Sequence, residues 1–226
     1  MQLPNHPPLT KSFDRAGAPA LAGCVPNDTA IRTVRPADQG ACEVLLRDAF
    51  WNLYRPGCHE HYLWHLAAQG HPDVVDGLPL VAVVDETVVG CVMSTRARVL
   101  AGAGERIEVL APGPLAVAPE RQRQGIGSAL LWRTVDDASR LGFPAAFLYG
   151  EPGYYPRLGF VDATTFGITT AEGDNFPDFM AKELVTGALA GITGRLVESS
   201  LFDVDPAAVG DFDAHFPARA GSSPTH

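Results

Sequence analysis

One stretch limits what this chain can fold into more than any other. It runs Leu115-Ala116-Val117-Ala118-Pro119-Glu120-Arg121-Gln122-Arg123-Gln124-Gly125-Ile126-Gly127-Ser128-Ala129-Leu130-Leu131. The pattern predicts a strand, a sharp turn holding two glycines, and a helix opening directly on the turn. A helix start leaves backbone N–H groups unpaired with a partial positive charge behind them, so it attracts phosphate. Glycine allows the bend and leaves no Cβ in a ligand's way. Arg121 and Arg123 add cationic donors. The stretch reads as a phosphate-binding turn between a strand and a helix.

Two common phosphate motifs do not fit. The dinucleotide fingerprint requires a third glycine where Leu130 stands, and no Gly-x-x-x-x-Gly-Lys-Ser/Thr string occurs. The pattern Gln/Arg-x-x-Gly-x-Gly/Ala does fit, through Gln122, Gly125 and Gly127. A second motif follows the apolar run Ala145-Ala146-Phe147-Leu148-Tyr149: Tyr155 stands four residues before Gly159-Phe160.

These two motifs, in this order, resemble motif A and the Tyr-x-x-x-Gly-Phe helix of the GNAT superfamily of N-acetyltransferases. The doubled Tyr154-Tyr155 and the acidic Glu151 after Gly150 are similar to the YhbS-like branch of predicted bacterial acetyltransferases. The resemblance covers residues 30–205. It implies an α/β (α+β) fold with a mixed central sheet of about six to seven strands, splayed at the cofactor site, and helices on both faces. It also implies acetyl-CoA as acyl donor, a primary amine as acceptor and direct transfer between them, and it makes a homodimer a possibility.

The domain expected is 29–205, preceded by a loose arm over 1–28 and followed by a poorly packed tail over 206–226, both rich in Pro, Ala and Gly. Inside the arm, Leu21-Ala22-Gly23-Cys24 looks like a lipoprotein cleavage box, but Asp14 and Arg15 interrupt the apolar stretch such a signal needs. Hydrophobic residues make up 46% of the 226, enough for a sizeable core. A net charge of −9 opposes nucleic-acid and anionic-membrane binding and suits a cationic acceptor. The scattered cysteines, with no C-x-x-C, point to a reduced cytoplasmic protein.

In chain order, residues 29–35 read as a strand. Pro36 opens a helix with Ala41, Val44, Leu45 and Ala49 on its inner face, and a second helix covers 58–69 with Gly70 as its stop. Trp51, Tyr54 and Tyr62 either pack or line an acceptor pocket. His61 and His65, at i and i+4, have the spacing of a zinc clamp, but no further ligands are evident and no metal is expected. Residues 80–94 form a hairpin, 95–106 a loop or bulge, and 107–117 a strand broken by Pro112-Gly113-Pro114. The motif A helix runs to Arg140 with Ile126, Leu130, Val135, Ala138 and Leu141 buried and Gly142 as its cap. Segments 165–170, 179–184 and 195–202 complete the sheet.

The resemblance gives Leu115, Ala116, Val117, Gln122, Arg123, Gln124, Gly125, Ile126, Gly127, Ser128 and Tyr155 as cofactor-binding. Tyr155 is either the acid that protonates the departing thiolate or a packing residue against the cofactor arm. Glu151 and Glu108 are candidate bases, with solvated carboxylates as the alternative. A non-catalytic acyl-CoA-binding module and a transferase for longer acyl groups remain rival readings.

Overall fold

The computed structural model describes Val25, Pro26 and residues 28–219. The Leu21–Cys24 box and nearly all of the arm lie outside the described residues. The chain runs β1 (Ala30–Thr33), α1 (Gln39–Phe50), α2 (Glu60–Ala68), β2 (Leu80–Val84), β3 (Thr87–Ala101), β4 (Arg106–Val117), α3 (Ile126–Arg140) and β5 (Ala145–Tyr149). It continues through β6 (Val161–Asp162), β7 (Ile168–Thr169), β8 (Phe179–Glu183), β9 (Gly194–Val197) and α4 (Pro206–Asp213). Among the described residues, the nine strands form one mixed sheet in the order β1-β2-β3-β4-β5-β8-β6, with β9 joining β3 and β7.

Every residue of β2 is buried, as its unbroken apolar run requires when both faces are covered. Alternation along β5 separates the two faces. Ala146 and Leu148 pack with Leu131, Val135 and Ala138 of α3, whereas Ala145 and Phe147 pack with Phe179, Ala163 and Leu189. A third group joins α1, α2, β2, β3 and the start of α3 around Leu46, Trp64, Val81, Val92 and Ile126. Gly90 lets α3 lie close to β3, since a Cβ there would stand 3.0 Å from Leu130 Cδ1 and 3.2 Å from Ile126 Cγ2.

Four local expectations need correction. Residues 95–101 are strand, not loop: β3 runs on to Ala101, paired with β4 from Thr95↔Ala111 to Leu100↔Arg106 and with β9 from Arg98↔Val197 to Ala101↔Gly194. Two partner strands outweigh the mixed local composition. The inner stripe of α1 is turned by one position, with Cys42, Leu45 and Leu46 buried and Val44 exposed. Leu141 is 58% exposed because α3 ends at Arg140, and Leu131 and Thr134 fill the stripe instead. Residues 206–213 are not a loose tail. Asp205 accepts the Ala207 N–H at 2.9 Å and so caps α4, and Arg47 donates to Asp213 through Nε at 2.6 Å and Nη2 at 3.0 Å. Phe212 packs on His61, Tyr62 and His65.

The sheet opens where the prolines stand. β4 meets β5 in parallel at one register pair, Leu110↔Ala146, and beyond it the two strands part. On its other edge β4 follows β3 to Val117, with the register slipping between Val92 and Ser94 opposite Pro112–Pro114. Proline has no N–H for a ladder, so the irregularity falls there. No helix among the described residues is long and apolar enough to cross a membrane.

Candidate active site

The gap between β4 and β5 is the floor of a cleft of about 1130 Å³. The α3 turn supplies one wall. Arg123 and Gly125 both adopt left-handed backbone, at φ 60° and 84°. Gly125 occupies the N-cap with no side-chain cap, and the first intrahelical bond is Ala129 N–H to Gly125 O at 2.9 Å. The N–H groups of Ile126, Gly127 and Ser128 therefore precede the helix ladder and stand at the cleft wall. Gln122 is spent on the turn itself, its Nε2 donating to Val117 O at 3.1 Å.

Gly127 has a second role. A Cβ there would come within 3.2 Å of the Tyr154 hydroxyl, which also meets Ser128 Oγ at 2.9 Å. Tyr154 thus belongs to the α3 end of the cleft, with the Arg157 guanidinium 4.2 Å above its ring. Tyr155 begins a short 3-10 turn over 155–158, started by Pro156 and ended by Gly159 in left-handed backbone. Its ring lies on Gly150 and edge-on to Tyr154 at 5.0 Å. Its hydroxyl makes no hydrogen bond to another described residue. Burial, then Tyr154 and Tyr54, push this phenol up to about 12.

The sequence candidates divide clearly. Leu115, Ala116, Val117, Gln122, Arg123, Gly125, Ile126, Gly127, Ser128, Glu151 and Tyr155 all line the cleft. Gln124 does not, and its Nε2 donates to Glu120 O at 3.1 Å. Glu108 does not either: it sits near the far end of β4 opposite Arg98, 3.3 Å from Arg96 Nε and half exposed. Glu151 is exposed, and its Oε1 accepts the Gly153 N–H at 3.3 Å. Tyr54 lines the cleft, whereas Trp51 lies against the Arg47 guanidinium at 4.5 Å and Tyr62 against Phe212.

The histidine helix is tied into α1 and α4. His61 Nδ1 lies 3.3 Å from Cys58 Sγ, and His61 Nε2 lies 3.1 Å from Asp213 Oδ1, off the line of a full hydrogen bond. Cys58 and His61 are buried; burial pushes the Cys58 thiol up to about 12 and the imidazole down. His65 contacts Glu43 at 2.9 Å and Gln69 at 2.8 Å.

Residues 44–160, just over half of the chain, match the model of the acetyltransferase (GNAT) family. The chain belongs to this family. Among solved structures of GNAT proteins, it is similar to the N-acetyltransferase YhbS from Escherichia coli in complex with CoA. That likeness is 27% identical with a TM-score of 0.68, over 78% of this chain and 93% of that one. A GNAT acetyltransferase from Brucella melitensis in complex with acetyl-CoA shares the fold, at 23% identity and a TM-score of 0.60 over 77% of this chain and 98% of that one. No protein of curated function matches the chain.

Sequence reasoning passed over Tyr149, Phe176, Asp178 and Glu198, which also line the cleft. None carries a local motif. Only the pairing of β9 with β3 and β7 brings Glu198 to β5 from so far along the chain.

Proposed function

We propose that the protein transfers an acetyl group directly from acetyl-CoA to a primary amine. The observation that carries this reading is the uncapped start of α3 opening into the same cleft as the free Tyr155 hydroxyl. The residues fit the donor: three N–H groups without intrahelical acceptors and two arginines, Arg121 and Arg123, stand where a pyrophosphate would lie. Backbone groups of β4 past Leu110, without a β5 partner, are the donors proposed for the acyl carbonyl and the oxyanion that develops on it.

The amine nitrogen attacks the thioester carbonyl carbon, the C–S bond breaks, and the sulfur takes a proton. Tyr155 is the acid proposed. A phenol near 12 donating to the thiolate of a thiol near 8.5 goes uphill by about 3.5 pH units, so donation is useful only in concert with departure of the sulfur. A cytoplasmic setting is part of the proposal, supported by the unpaired thiols of Cys42, Cys58 and Cys91.

Calorimetric titration with acetyl-CoA, followed by mass spectrometry of mixtures with amines, tests the reading. Binding together with a singly acetylated amine is expected. Binding with no acetylated product from any amine would leave an acyl-CoA-binding module instead. Tighter binding and faster transfer from a longer acyl-CoA would move the assignment to that donor.

A further inference from the structure

The cleft wall also carries exposed aromatic rings: Tyr54, Tyr149 and Phe176 are 73%, 40% and 41% exposed. Tyr149 stacks on Phe176 at 5.6 Å and on Phe179 at 5.1 Å, which holds its hydroxyl beside the Glu198 carboxyl. Glu198 is half-buried and forms no ion pair among the described residues. The charged groups that face it, Glu172 and Asp203, are acidic. The cations lining the cleft are engaged elsewhere or stand at the α3 turn: Arg55 meets His59 at 3.2 Å, and Arg157 covers Tyr154.

A carboxylate taken out of water among other carboxylates, with one phenol as donor, is costly to keep ionised. Burial accordingly pushes Glu198 above the ordinary carboxylate range, the Tyr149 hydrogen bond opposing it, and burial raises Tyr149 as well. A cation arriving from solvent would relieve Glu198. An ammonium ion on an apolar body matches both the charge and the rings.

Resting on the acetyl-transfer reading, we propose that Glu198 takes the proton of the incoming ammonium ion, that Tyr149 is its positioning residue, and that the acceptor is a primary amine with an apolar body and no carboxylate. One N–H bond of R–NH₃⁺ breaks and the proton passes to the Glu198 carboxylate, leaving a neutral amine. Its lone pair forms the new C–N bond, and the C–S bond breaks as Tyr155 protonates the sulfur. The second N–H proton returns through solvent to the Tyr155 phenolate, and Glu198 releases its proton to water.

The test compares native protein with Glu198→Gln, Glu198→Asp and Tyr149→Phe. Steady-state rates against pH are measured for phenethylamine, hexylamine and phenylalanine, and acetyl-CoA affinity by calorimetry. Glu198→Gln is expected to lose about 10²-fold or more in kcat and the acid limb of the profile, with donor affinity within about twofold. Glu198→Asp is expected to regain part of the rate. Tyr149→Phe is expected to move the acid limb to higher pH, because the hydrogen bond that favours the ionised carboxyl is gone. Glu198→Gln within about threefold of native with an unchanged limb overturns the base. Should that variant fail to bind donor, an unchanged limb in both other variants overturns it. Phenylalanine used as well as phenethylamine overturns the acceptor class. Native protein that binds acetyl-CoA and acetylates no amine ends the transfer reading and this assignment together.

Discussion

Gly150 is the surface on which the Tyr155 ring rests: a Cβ added at Gly150 would lie 2.0 Å from Tyr155 Cε2. No side chain fits without moving the ring. Gly150→Ala should therefore displace the phenol and lower kcat by about as much as Tyr155→Phe, roughly 10²-fold, while donor affinity changes little. Steady-state kinetics with calorimetric binding of CoA separate the two effects.

Gly125 in left-handed backbone sets the direction in which α3 begins. An L-residue there costs about 1–2 kcal/mol. Gly125→Ala is expected to weaken CoA binding about tenfold, because the strained turn misplaces the N–H groups of Ile126–Ser128. Titration of CoA into the variant reads this directly, and an unchanged affinity would remove the turn from the donor site.

The Arg47 guanidinium is buried and held by both oxygens of Asp213. Removing one charge leaves the other unpaired out of water. Asp213→Asn should lower stability by about 3 kcal/mol in urea unfolding. Hydrogen exchange should show α4 losing protection first. A loose C-terminal segment, as composition alone suggests, would show neither change.

Asp38 takes Arg32 Nη1 at 2.6 Å, Arg32 Nη2 at 2.9 Å and the Arg35 N–H at 2.7 Å. These hold its carboxyl down to about 2, chiefly through the Arg32 side chain. A depressed carboxylate stabilises the fold fully above its unfolded value near 4, and that contribution disappears as pH falls towards about 2. Asp38→Asn should thus lower the urea midpoint at neutral pH. The gap from native should close between about pH 4 and pH 2.

The sequence made the glycine turn legible because its geometry is local. Gly125, Gly142, the Pro112–Pro114 break and the Tyr155–Gly159 spacing each act within a few residues, and each appears where local rules require. What it hid was built by distant pairing. Residues 95–101 look irregular until β4 and β9 bond to either side of β3. Residues 206–213 look loose until Arg47, far along the chain, meets Asp213. Glu108 reads as a base on a splayed strand, but the splay begins after Leu110 and leaves it beside Arg96. Glu198 and Tyr149 have no spacing to betray them, because their proximity exists only in the finished sheet.

The most direct measurement is CoA release from acetyl-CoA across a broad amine library, with native protein and Tyr155→Phe side by side. At least one amine should release CoA, and Tyr155→Phe should lower that kcat about 10²-fold with donor affinity kept. Acetyl-CoA bound tightly with no amine releasing CoA would contradict acetyl transfer by this site, and Tyr155→Phe turning over at the native rate would contradict Tyr155 as its acid.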